Sequence, residues 1–84
     1  RRTALPPGHP DIAKSIGHLA RLLDSNGEYD RALPLYEEAL GLFRASLPHG
    51  HPAIATTLYD LAGLLERRGE YDRALALVEE ALDM

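Results

Sequence analysis

The sequence predicts an all-α protein, an α-solenoid built from two helix-turn-helix repeats. Two observations carry this prediction. A Gly-His-Pro motif at 8–10 recurs at 50–52, and the seven residues 27–33 recur unchanged at 69–75. The offset is 42 residues in both cases, and 24 of the 42 aligned pairs are identical. Because a recurring period of this length is typical of stacked helical hairpins, we expect four antiparallel helices and no strand.

The first helix of each repeat is predicted at 10–25 and at 52–67. Pro10 and Pro52 suit a first helical position, where a missing N–H removes no hydrogen bond. Apolar residues follow at a spacing near 3.6, which defines a buried stripe. In repeat one this stripe contains Ile12, Ala13, Ile16, Leu19, Ala20 and Leu23. Gly27 follows as a left-handed residue that ends the helix.

The second helix of each repeat is predicted at 29–46 and at 71–83. One face of the first of these carries Ala32, Leu33, Tyr36, Ala39, Leu40 and Phe43. Pro34 lies about one turn inside the helix, where we expect a bend and not a break. Two prolines and a glycine within 47–52 separate the repeats.

The repeat phase predicts a single solenoid segment over 1–84. Residues 1–5 align with the end of a second helix, so they are expected to be the tail of an earlier repeat. Repeat one then covers about 8–47 and repeat two about 50–84. We therefore expect a segment of a longer array.

The composition argues against several classes of function. The net charge is −4 and Lys14 is the only lysine, whereas nucleic-acid binding needs clustered basic residues. There is no cysteine, no apolar run long enough to span a membrane, and no signal-peptide core at the N-terminus. We expect no nucleic-acid or membrane partner and a cytoplasmic location.

The spacing of the repeated residues resembles the tetratricopeptide repeat family, in its 42-residue kinesin light chain-like variety. Leu19-Ala20, Gly27-x-Tyr29-x-x-Ala32 and Ala39 fall at the family's defining positions. The resemblance implies a right-handed superhelical stack with small residues where helices cross. The implied repeat-defining core is Leu19, Ala20, Leu23, Gly27, Tyr29, Ala32, Ala39, Leu61, Ala62, Leu65, Gly69, Tyr71, Ala74 and Ala81.

The resemblance also implies an adaptor whose inner groove, lined by the first helices, holds a protein or peptide. The groove positions in this sequence are Lys14, Gly17, His18, Arg21, Asp24, Thr56, Tyr59, Asp60, Gly63, Glu66 and Arg67. Related repeats usually carry asparagines that clamp a peptide backbone at four of these positions. None is present here at Gly17, His18, Tyr59 or Asp60.

No catalytic, cofactor or metal site is predicted. His9, His49 and His51 lack a carboxylate or cysteine at ligand spacing, so we interpret His9 and His51 as packing or capping residues at helix starts. The adjacent glutamates at 37–38 and 79–80 point about 100° apart on a helix, which indicates a solvated face. No serine lies in a nucleophile motif and no phosphate-binding loop occurs.

Two functions remain open. The first is a protein-interaction scaffold. The second is self-association, because helical repeats bury their faces only against neighbours and about three are normally needed. Six leucines are in excess of the apolar residues that one hairpin needs for its own packing. They are Leu22, Leu33, Leu35, Leu64, Leu75 and Leu77. Copies that stack through them, or that swap hairpins, would form a homo-oligomer held mainly by leucines and little weakened by salt.

Overall fold

The computed structural model describes residues 10–84, which form four α-helices and, within that range, no strand. They are α1 (Pro10–Ser25), α2 (Tyr29–Ser46), α3 (Pro52–Arg67) and α4 (Tyr71–Leu82). The predicted boundaries agree except that α4 ends one residue before the expected 83. The all-α class and the order of helices are confirmed. The predicted tail at 1–5 and His9 lie outside the described residues.

The three-residue turn inside each hairpin is fixed by a glycine. Gly27 has a φ of 81°, in the left-handed region that other residues rarely adopt. The amide of Glu28 donates to the Leu23 carbonyl at 2.8 Å, and the amide of Gly27 donates to the Asp24 carbonyl at 3.0 Å. These two bonds form a Schellman motif and satisfy carbonyls at the end of α1. Gly69, with a φ of 83°, repeats the geometry after α3.

The start of α3 is capped by a histidine. The backbone N–H of Ala53 donates to Nδ1 of His51 at 3.0 Å, and Pro52 follows the cap as the first helical residue. The capping interpretation of His51 is therefore confirmed. In α2 the helix continues through Pro34 without a break.

The buried core includes residues of all four helices. α1 packs on α2, α3 packs on α4, and α2 packs on α3. Small residues lie where these helices approach most closely: Ala20, Ala32 and Ala39 are completely buried. Of the remaining predicted core, Leu61, Ala62, Leu65, Ala74 and Ala81 are buried, and Leu23 and Tyr29 are partly buried at its edge.

Besides the turn glycines Gly27 and Gly69, two predicted core residues are exposed. Leu19 in α1 is 48% exposed, although Leu61, its counterpart in α3, is 3% exposed. Tyr71 is 64% exposed, whereas its counterpart Tyr29 lies beneath the guanidinium of Arg67, 5.8 Å from the ring centroid. The prediction was wrong at both positions because periodicity identifies a face of a helix and not the presence of a neighbour. Among residues 10–84, only α2 and α3 have helices packed on both sides.

Ala32→Leu is expected to lower the free energy of unfolding by about 1–3 kcal/mol, because three added carbons would overpack a close helix contact. Glu37→Ala, at an exposed position of the same helix, is expected to stay within about ±0.5 kcal/mol. Urea unfolding followed by circular dichroism measures both. A larger loss for Glu37→Ala would show that the buried face of α2 is misassigned.

Candidate functional site

A groove runs between α1 and α3, with α2 beneath it. Its volume is about 240 Å³. One wall is α1, the other wall is α3, and α2 contributes two aromatic side chains to the floor. We call this surface the α1–α3 groove; it is lined by Lys14, Gly17, His18, Arg21, Tyr36, Phe43, Ala53, Thr56, Thr57 and Asp60.

The structure brings together six of the eleven residues expected in the groove. These are Lys14, Gly17, His18, Arg21, Thr56 and Asp60. Three others, Tyr59, Gly63 and Glu66, line a separate depression between α3 and α4. The eleven residues therefore do not form one surface, because the side of α3 that carries these three faces α4 and not α1.

The groove carries charges of both signs. Lys14 and Arg21 lie on the α1 wall, and Asp60 lies opposite on α3. Nε of Arg21 lies 4.0 Å from Oδ2 of Asp60, the limit of an ion pair. Burial raises the pKa of Asp60, and the nearby Asp24 carboxylate raises it further, while Arg21 and Arg67 act in the opposite direction. A cationic group placed beside Asp60 would favour the ionised carboxylate, as Arg21 and Arg67 do.

Asp24 lies at one end of the groove. It was expected to be exposed on the groove surface, but it is buried. The hydroxyl of Tyr36 donates to its Oδ2 at 3.2 Å. Nε of Arg67 donates to its Oδ1 at 3.1 Å, and Nη2 of Arg67 donates to Oδ2. This cluster of Asp24, Tyr36 and Arg67 joins α1, α2 and α3, so it fixes how the first helices of the two repeats lie against each other.

Burial is the main cause that raises the pKa of Tyr36, followed by the charges of Asp24 and Asp60. The phenol therefore stays protonated and keeps donating to Asp24. Sequence reasoning did not find this cluster, although a signal existed. All three members occupy positions where the repeats differ, since their counterparts are Glu66, Val78 and Ser25.

The described residues around the groove offer hydrogen-bonding groups and charges. Within residues 10–84, no three His, Cys, Asp or Glu side chains lie close enough together to hold a metal ion. Glu37 faces Arg73 at 3.6 Å and Glu80 pairs with Arg44, so both glutamate doublets take part in surface ion pairs. No helix in the described part of the chain is long and apolar enough to cross a membrane.

The stacked helical hairpins and the groove between their first helices define an α-helical repeat protein. Residues 11–84 match the tetratricopeptide repeat family, and the chain belongs to that family. Tetratricopeptide repeats generally mediate protein–protein interactions, and their fold is typically a non-catalytic scaffold.

Solved structures agree with this assignment. The chain is similar to crystal structures of a candidate kinesin light chain from Podosopora anserina with nearly identical TPR-like repeats, and of a single-substitution variant of it. Both matches have a TM-score of 0.76 and 27% identity, and both cover 89% of this chain. The chain spans 36% and 35% of their lengths. No curated protein matches the sequence significantly.

Proposed function

We propose that this chain is a non-catalytic scaffold, a single solenoid segment whose α1–α3 groove binds a segment of a partner protein. The observation that carries the proposal is the groove itself. Two helix walls present opposite charges above an apolar floor of Tyr36 and Phe43. Sites of this kind bury apolar side chains while a few polar groups fix orientation.

The charges of the groove favour a peptide over a nucleic acid. The net charge of −4 opposes phosphate binding, and Asp60 lies within the groove. A peptide that carries both a basic and an acidic side chain would complement Asp60 on one wall and Lys14 or Arg21 on the other. We propose such a segment as the client, in a cytoplasmic setting.

Thr56→Lys is expected to weaken peptide binding by at least about tenfold, equivalent to about 1.4 kcal/mol. Thr56 is exposed and lines the groove, so a lysine there would occupy the space and change its charge. The ligands are peptides selected from a random library on the unmodified chain, and fluorescence polarisation measures their affinities.

Ala45→Lys is the matched control, because it adds the same side chain at an exposed position of α2 outside the groove. Its affinities are expected to stay within about twofold, with both variants fully helical by circular dichroism. Peptides that bind Thr56→Lys as tightly as the unmodified chain would show that the groove is not the binding site.

Self-association is the second candidate, and one observation favours it. Large apolar side chains remain exposed on the two outer helices, including Leu19 and Leu22 on α1 and Leu75 and Leu82 on α4. The expected Leu64 is not among them, because it is completely buried. We propose that copies associate at micromolar to millimolar concentration, with little dependence on salt. Sedimentation equilibrium that shows only the 9.2 kDa monomer at about 1 mM would refute this candidate.

A further inference from the structure

The packing between the two repeats provides a reference for how one repeat covers another. Leu61 and Leu65 of α3 line the same depression as Leu40 of α2. Two ion pairs border this apolar contact. Nη2 of Arg73 lies 3.6 Å from Oε2 of Glu37, and Nη1 of Arg68 lies 3.3 Å from Oδ1 of Asp30. The contact between repeats is thus a leucine strip flanked by ion pairs.

The same side chains recur on the two outer surfaces, where all but the partly buried Leu23 are exposed. We define the α1 face as Leu19, Leu22 and Leu23, the counterparts of Leu61, Leu64 and Leu65. We define the α4 face as Leu75, Glu79 and Leu82, the counterparts of Leu33, Glu37 and Leu40.

Identical residues at these repeat positions differ strongly in exposure. Leu22 is 56% exposed against 0% for Leu64, and Leu82 is 72% exposed against 7% for Leu40. Each outer face therefore carries the side chains of one half of an interface that the chain already forms internally.

We propose that the α1 face of one copy binds the α4 face of a second copy, head to tail, and reproduces the packing of α3 on α2. This inference rests on the self-association candidate above and specifies its geometry. Arg31 occupies the repeat position of Arg73, so it would meet Glu79 of the other copy in the way that Arg73 meets Glu37. Asn26, at the position of Arg68, would meet Asp72 and can donate a hydrogen bond to it.

Charge disfavours the two-fold alternatives. If two α1 faces were in contact, Arg31 of one copy would approach Arg31 of the other. If two α4 faces were in contact, Glu79 of one copy would approach Glu79 of the other. Like charges in such positions are repulsive, whereas the head-to-tail contact places opposite charges together. A head-to-tail contact leaves one α1 face and one α4 face open, so the assembly extends beyond a dimer.

A mixing experiment tests this geometry. Leu19→Glu disables the α1 face and Leu82→Glu disables the α4 face, and both positions are exposed in the monomer. Each variant alone is expected to lose self-association by at least about tenfold. An equimolar mixture is expected to form a 1:1 pair and nothing larger, because each variant supplies the face that the other lacks. Sedimentation equilibrium measures both results.

The control is Ala45→Glu, which adds the same charge on neither face and is expected to associate like the unmodified chain. Leu22→Glu and Leu75→Glu provide a second pair if circular dichroism shows that a first variant loses its helices. If the unmodified chain associates, a mixture that stays monomeric would overturn the head-to-tail geometry. A single variant that still forms a dimer would overturn it too. Neither result would contradict self-association itself. An unmodified chain that is monomeric at about 1 mM would overturn both and leave the groove proposal untouched.

Discussion

Leu64→Ala is expected to lower the free energy of unfolding by about 3–5 kcal/mol, the upper range for a leucine truncated in a packed core. Leu64 is completely buried, and its helix α3 packs against both α2 and α4. Leu22 occupies the same position in repeat one but is 56% exposed. Leu22→Ala is therefore expected to lower the free energy of unfolding by no more than about 1 kcal/mol. The same substitution at two equivalent positions thus isolates the contribution of a neighbouring repeat.

Urea unfolding, followed by the helical circular dichroism signal, measures both variants at a concentration where sedimentation equilibrium shows a monomer. Unequal losses with nearly equal m values would match the expectation, since both variants would then unfold the same surface. Equal losses would contradict the packing of α3 against α2, because the two leucines would then have equivalent surroundings.

Asp24→Ala is expected to lower the free energy of unfolding by about 2–4 kcal/mol. Breaking a buried ion pair typically costs about 3–5 kcal/mol, and the value here is reduced because the Arg67 side chain is 47% exposed. The substitution would also leave the buried hydroxyl of Tyr36 without its acceptor. Both losses fall on the contact that joins the two first helices.

Two controls separate the charge from the hydrogen bond. Asp24→Asn keeps an oxygen that accepts from Tyr36 but removes the charge, so it is expected to fall between Asp24→Ala and the unmodified chain. Glu66→Ala changes the exposed counterpart in repeat two and is expected to stay within about ±0.5 kcal/mol. An Asp24→Ala variant as stable as Glu66→Ala would show that the cluster contributes nothing to the fold.

The helix boundaries were predictable because local chemistry sets them. Gly27 supplies a left-handed φ, Pro52 begins a helix, and both act through their own backbone whatever lies nearby. Six groove residues were predictable for a similar reason, since helical periodicity places residues of equal phase on one face.

Other features depend on which helix lies next to a residue, and periodicity carries no such information. Leu19 and Leu61 occupy equivalent repeat positions but differ in exposure. Tyr59 shares the α3 helix with Asp60 yet faces the depression beside α4. The Asp24–Arg67 contact joins residues 43 positions apart, so only the three-dimensional stacking of the repeats brings them together.

An amide chemical-shift titration shows whether a peptide binds in the α1–α3 groove. The ¹⁵N-labelled chain would be titrated with the tightest library peptide, at a concentration where the chain is monomeric. If the groove is the binding surface, the largest shifts are expected at Lys14, Gly17, His18, Thr56 and Asp60, and the amides on the outer surface of α4 are expected not to move. Shifts centred on Leu75 and Leu82, with the groove amides unmoved, would contradict it.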